Sequence, residues 1–256
     1  MKIISVITSK GGTGKTTVSG ALAAGLKKRG YRILAVDMDP QCNLTASFGL
    51  SMDSLTDKNI FRVMNKQIDL KDAIVPCDTA DLIPASPSLA VADITFVSVG
   101  KEYILAKALK KAQLHYDYVI LDNPPSLGIL TVNSLTASDE VIIPSQADKF
   151  SLQGIHGLNQ TIEAVKEYTN PHLRILGIVL NRYNARTVIS RNVADMLDVS
   201  SKGMDTTLFK TKIRECTAIK EAQLVGQSIF DYAPSSNAAN DFNSLIDEVL
   251  LMEEGN

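Results

Sequence analysis

The sharpest chemistry in the chain is carried by Ser9-Lys10-Gly11-Gly12-Thr13-Gly14-Lys15-Thr16-Thr17. Glycines at 11, 12 and 14 let backbone N–H groups converge on phosphate oxygens that a side chain would hold away. Lys15 is spaced to reach the β- and γ-phosphates of a nucleoside triphosphate, and the Thr16 hydroxyl to ligate Mg2+. Residues 10–17 are therefore candidate ATP-binding residues. The common form of such a loop has glycine where Ser9 stands, and Lys10 adds a second lysine at its start. A lysine there is poorly placed for its own nucleotide. It could instead reach across a dimer interface to a partner's phosphates, neutralising charge as an arginine finger does.

Phosphoryl transfer to water also needs acids that organise the metal and the water. Asp122 follows the apolar run Tyr118-Val119-Ile120-Leu121, which sets it at a strand's carboxyl end, the edge where α/β proteins bind ligands. It suits a water-mediated contact with Mg2+, and the stiff Asn123-Pro124-Pro125 after it suits a switch that senses the γ-phosphate. Asp37-Met38-Asp39-Pro40-Gln41 ends a second apolar run. One of its two carboxylates could orient the attacking water, although Asp39 is also a fitting N-cap for a following helix.

These groups require a frame. The runs Ile3–Ile7, Ile33–Val36, Tyr118–Leu121, Val141–Ile143 and Ile175–Leu180 are apolar without alternation, as strands buried on both faces are. Between them fall helical patterns: Val18, Ala21, Leu22, Gly25 and Leu26, then residues 104–112, 155–168 and 238–252. Strands alternating with helices predict a single α/β domain over 1–256, a mostly parallel central sheet with helices on both faces, in the manner of a P-loop NTPase. Residues 51–80 are the least regular and are read only as loosely helical. A composition of 45% hydrophobic and 21% charged residues excludes a disordered chain. Three scattered cysteines, Cys42, Cys77 and Cys216, fit reduced thiols in a cytoplasmic protein. No window is long and apolar enough for a membrane span.

The sequence resembles the ParA/Soj/MinD group of deviant Walker A ATPases, whose fold is shared with the nitrogenase iron protein. Three blocks carry the resemblance: residues 10–17, Val36-Asp37-Met38-Asp39-Pro40-Gln41-Cys42-Asn43, and residues 116–128 with Asp122-Asn123-Pro124-Pro125-Ser126-Leu127-Gly128. Residues 135–139 and Pro144-Ser145-Gln146 extend it. Asp-Pro-Gln and Pro-Pro-Ser-Leu-Gly point to the ParA/Soj branch. The resemblance implies an Mg2+-dependent ATPase that forms a sandwich homodimer on ATP binding. Lys10 would be its signature lysine, Asp39 the residue needed for hydrolysis, Thr16 the Mg2+ ligand and Asp122 the switch II acid. Pro40, Gln41, Pro124 and Pro125 would lie in the switches, and Asn181 matches a position that contacts adenine in some relatives. It implies further that the ATP-bound dimer binds double-stranded DNA without sequence preference and becomes nucleoid-associated. A ParB-like centromere-binding partner would then stimulate hydrolysis and release it, segregating a plasmid or chromosome.

Charge distribution bears on that expectation. Residues 174–220 hold nine basic and four acidic residues, leaving the remainder seven negative in a chain of net charge −2. A local basic face on an acidic protein is what attraction to a phosphate backbone requires, and Arg182, Arg186, Lys212, Arg214 and Lys220 are its candidate contacts. The sequence departs from many relatives at Ala218, where they carry arginine. The alternative is a MinD-like ATPase positioning cargo on a membrane or protein scaffold. Against it, residues 221–256 hold seven acids and neither Lys nor Arg, so anionic lipid would repel them. No Cys between Pro84 and Glu215 argues against a subunit-bridging iron–sulfur cluster. A first strand starting near Lys2 leaves no room for an N-terminal helix-turn-helix, and no C-terminal membrane helix is expected.

Overall fold

Successive residues along each central strand pack into different cores. Ile4, Val6, Ala35, Ile120 and Ile142 join one apolar cluster. Their neighbours Ile3, Leu34, Val36, Val119 and Leu121 join a second, and Ile7, Val141 and Ile143 a third. Side chains of a strand alternate between faces, so this sheet is covered on both sides, which is why its strands carry no polar stripe. The computed structural model describes residues 1–51, 57–148 and 151–254.

In chain order the elements are β1 (Lys2–Val6), α1 (Lys15–Lys28), β2 (Ile33–Asp37), α2 (Asn43–Ser47), α3 (Ile60–Met64) and β3 (Asp81–Ile83). Next come α4 (Ala92–Thr95), α5 (Ile104–Ala112), β4 (Tyr118–Asp122), α6 (Ile129–Ala137), β5 (Glu140–Gln146) and α7 (Ser151–Tyr168). The chain continues through β6 (Arg174–Tyr183), α8 (Val188–Gly203), β7 (Leu208–Arg214), α9 (Thr217–Leu224), α10 (Ile229–Tyr232) and α11 (Asn237–Glu254). The strands form one seven-stranded sheet in the order β3-β2-β4-β1-β5-β6-β7, and every pair is parallel. With β1 between β4 and β5, the loop after β1 opens at the middle of the sheet's carboxyl edge.

The five expected strands and the principal helices are present, with edges moved by a few residues. Two strands were not foreseen, β3 and β7. Of the loosely helical stretch 51–80, the structure shows α3 and a single 3-10 turn at Leu70–Ala73; residues 52–56 lie outside the described residues. Among the described residues no helix is long and apolar enough to cross a membrane.

The last helix is latched to the sheet's opposite edge by charge. Glu140, fully buried at the start of β5, meets Lys2 at 3.3 Å and Arg174 at 2.5 Å, and Lys2 also reaches Glu253 of α11 at 3.3 Å. Burial and the hydrogen-bonded Glu140 carboxylate push the Glu253 acid up to about 7. A raised carboxyl stabilises the fold below its unfolded value and loses that contribution as pH climbs through the folded one. The Glu253 contribution is therefore expected to be lost between about pH 4.5 and pH 7, and Glu253→Gln to make the fall in stability across that interval shallower, as read from urea midpoints.

Candidate functional site

The loop from β1 to α1 has the backbone its glycines allow. Gly12 and Gly14 stand at φ 77° and 94°, the left-handed region that side chains avoid, and Gly14 is also the residue from which α1 starts. Thr13 is buried, with its hydroxyl donating to the Lys10 carbonyl at 3.3 Å. The outer side of the loop is tied to the neighbouring strands. Gln146 Nε2 donates to the Gly12 carbonyl at 2.8 Å, and Asn181 Nδ2 to the Thr13 carbonyl at 2.9 Å. Ser9 Oγ donates to the Gly154 carbonyl of α7 at 2.8 Å. Lys10 forms an ion pair with Asp148, just past β5.

On the inner side, α1 carries Lys15, Thr16 and Ser19 against the ends of β2 and β4. Lys15 is only 7% exposed. Burial pulls its pKa below the usual lysine value, against the opposing attraction of Asp122 and Asp39. Asp122 accepts from Thr16 Oγ1 at 2.8 Å and from Ser19 Oγ at 2.9 Å. Because β2 and β4 pair in register, Asp37 stands directly beside Asp122. Both are fully buried, and burial lifts each above the ordinary carboxylate range, with the charge of Asp39 adding to the rise at Asp37 and that of Asp37 to the rise at Asp122.

The two acids of the 37–41 segment separate cleanly. Asp37 is occupied by the Thr45 amide and hydroxyl at 2.8 and 2.7 Å and by the Asp39 amide at 3.1 Å. It anchors the turn rather than facing a ligand. Asp39 is 6% exposed, and its Oδ1 accepts from the Gln41 amide at 2.9 Å. It caps no helix: α2 begins at Asn43, with Cys42 as the preceding residue at φ 56°. Pro40 is half-buried and Gln41 exposed; after β4, Pro124 is buried and Pro125 exposed. Between the two turns, Asn123 donates to the carbonyls of Val6 and Leu121 at 3.2 and 3.1 Å, while its buried Oδ1 has no hydrogen-bond partner among the described residues.

This donor set fits a magnesium–nucleotide pair. Among the described residues no group of three His, Cys, Asp or Glu could hold a metal unaided. Mg2+ is ordinarily bound through one or two protein oxygens, substrate phosphates and water. Thr16 Oγ1 beside the Asp122 carboxylate supplies such oxygens, and a cation there would relieve two crowded buried acids. The glycine loop ahead of a helix N-terminus supplies the complementary anion site.

The candidate basic face is less uniform than its sequence. Arg182, near the end of β6, and Arg186, just past it, are exposed, and Lys220 is exposed on α9. Lys212 lies 4.8 Å over the Tyr183 ring. Arg214 is engaged by Asp241 of α11 through Nε and Nη2 at 2.9 and 2.6 Å, so its charge is already matched. Asn181, expected against adenine, is 3% exposed and holds the phosphate loop. Gln146 and Asp148 were missed as site residues, because their partners are more than 130 positions away in the chain.

Residues 1–175 match the AAA domain family model AAA_31. The chain is 37% identical over 251 residues to the sporulation initiation inhibitor protein Soj of Bacillus subtilis, spanning 97% of this chain and 98% of that protein. It is 35% identical over 247 residues to the chromosome-partitioning ATPase Soj of Thermus thermophilus, spanning 96% and 94%. A solved structure from Mycobacterium smegmatis, described as cobyrinic acid a,c-diamide synthase with bound ATP analog and magnesium, superposes with a TM-score of 0.83. That protein is 32% identical, with 99% of this chain and 96% of the other covered.

Proposed function

The chain belongs to the ParA/Soj family of AAA-domain ATPases, and from that premise we propose that it is a partition ATPase whose nucleotide state controls its hold on DNA. The observation that carries the reading is Lys15, buried behind a glycine loop and set between Asp39 and Asp122. Burial disfavours its charge, and a triphosphate seated in the loop would restore it.

In this mechanism the loop amides and Lys15 bind the triphosphate. Thr16 and Asp122 would hold Mg2+, which when bound would neutralise charge developing on the phosphate oxygens. Lys10 leaves Asp148 and meets the nucleotide of a second copy, so triphosphate binding and dimerisation support one another. Asp39 orients the water that attacks the γ-phosphate, with Pro40, Gln41, Pro124 and Pro125 forming the turns that respond to it. The homodimer brings two basic faces together on double-stranded DNA, through Arg182, Arg186 and Lys220 first and Lys212 and Arg214 to a smaller degree. A ParB-like protein on a centromere-like site accelerates hydrolysis and frees the DNA. The setting is cytoplasmic.

The test is binding to random-sequence duplex DNA by Asp39→Ala, with ATP, with ADP and without nucleotide, across a salt series. ATP-dependent binding whose affinity falls steeply with salt is expected, the slope reporting the phosphates contacted. An ATP-loaded dimer that ignores DNA would remove DNA as the scaffold.

A further inference from the structure

Two carboxamides at the sheet's carboxyl edge act on consecutive carbonyls of the phosphate loop. Gln146 ends β5, Asn181 lies near the end of β6, and the two are register partners. Neighbours in register project to the same face of a sheet, and here Gln146 takes the Gly12 carbonyl and Asn181 the Thr13 carbonyl. Asn181 is itself fixed, since its Oδ1 accepts from the Arg182 amide at 2.9 Å. It also packs so closely on Gly14 that a Cβ there would overlap its amide.

Within a planar trans peptide the C=O and N–H point in opposite directions. Drawing the Gly12 carbonyl toward β5 therefore turns the Thr13 N–H away from the strand ends. Drawing the Thr13 carbonyl toward β6 does the same for the Gly14 N–H. These are successive amides of the loop whose N–H groups would face an anion. Without the clasp, either peptide could flip and present a carbonyl oxygen to a phosphate. Glycine at 12 and 14 makes such flips easy, because it tolerates both signs of φ.

We infer that Gln146 and Asn181 are paired positioning residues that hold the loop's peptide planes with their N–H groups toward the triphosphate. The inference rests on the nucleotide reading above and adds two residues to it, assigning Asn181 to the phosphates instead of the base.

The test measures affinity of the full chain for Mg-ATP and for inorganic tripolyphosphate, with melting temperature recorded without ligand. The variants are Gln146→Met, Asn181→Leu and the double substitution. Each single change is expected to weaken both ligands about two- to tenfold, the scale of one lost hydrogen bond, and the double change to weaken both further. Gln146 is only half-buried, so Gln146→Met should melt like the parent and carries the test if Asn181→Leu folds poorly. Unchanged tripolyphosphate affinity in Gln146→Met would overturn the inference. A loss for ATP alone in Asn181→Leu would overturn it too, returning that residue to adenine. If the parent binds neither ligand, the nucleotide reading fails and this inference falls with it; if only the variants' effect is missing, that reading stands.

Discussion

Lys15→Ala is expected to lower affinity for ATP by at least about a hundredfold in a direct titration, a difference of roughly 2.7 kcal/mol. A charge-assisted contact to phosphate is by itself worth about 1.5–3 kcal/mol, and the setting of Lys15 adds to it. Its ammonium is the positive charge acting against Asp122 and Asp39, so alanine leaves two acids facing the incoming triphosphate. ATP-dependent dimerisation should disappear with binding. Parent-like affinity in this variant would displace the nucleotide from the loop altogether.

The second large effect is expected at Asp39. Asp39→Ala should reduce the hydrolysis rate about 10²–10⁴-fold, the range for losing a group that directs a proton or water, while ATP affinity stays within a few-fold of the parent. The contrast with Asp37 sharpens the prediction. Asp37 spends its oxygens on Thr45 and on the Asp39 amide, so its removal should depress stability more than the ratio of turnover to binding. Steady-state turnover and nucleotide titration, run beside thermal melts of both variants, separate the two roles. Normal turnover in Asp39→Ala would refute the assignment.

How much of this was legible in the sequence depends on the distance over which each feature is specified. The phosphate loop is local: β1, three glycines, Lys15 and Thr16 are consecutive in the chain, and the structure places them as strand, turn and helix. The buried strands were legible because burial on both faces removes polar alternation. Strand β3 was missed because three residues are too few to show a pattern, and β7 because Leu208-Phe209-Lys210-Thr211-Lys212-Ile213-Arg214 sits at the sheet edge, where lysines read as surface charge. That Asp37 is taken up by Thr45 could not be read from the spacing of the two acids, because that contact exists only once the chain has turned into α2. The contacts of Gln146, Asp148 and Asn181 with the loop are tertiary, made from in or just past strands far along the chain.

The position of β1 at the middle of the sheet also bears on how the protein is made. Its partners begin at Tyr118 and Glu140, so a strand of mostly apolar residues leaves the ribosome well over a hundred residues ahead of anything it can pair with. At about 5–20 residues per second, that interval lasts roughly six to twenty seconds. Nor can the phosphate loop be braced until Gln146 and Asn181 have been synthesised, so nucleotide cannot rescue an early nascent chain. During translation, residues 3–8 and 33–36 are exposed sticky segments that a holding chaperone would recognise. Slowing synthesis before β4 should lengthen that exposure and raise the fraction of new chains lost to aggregation.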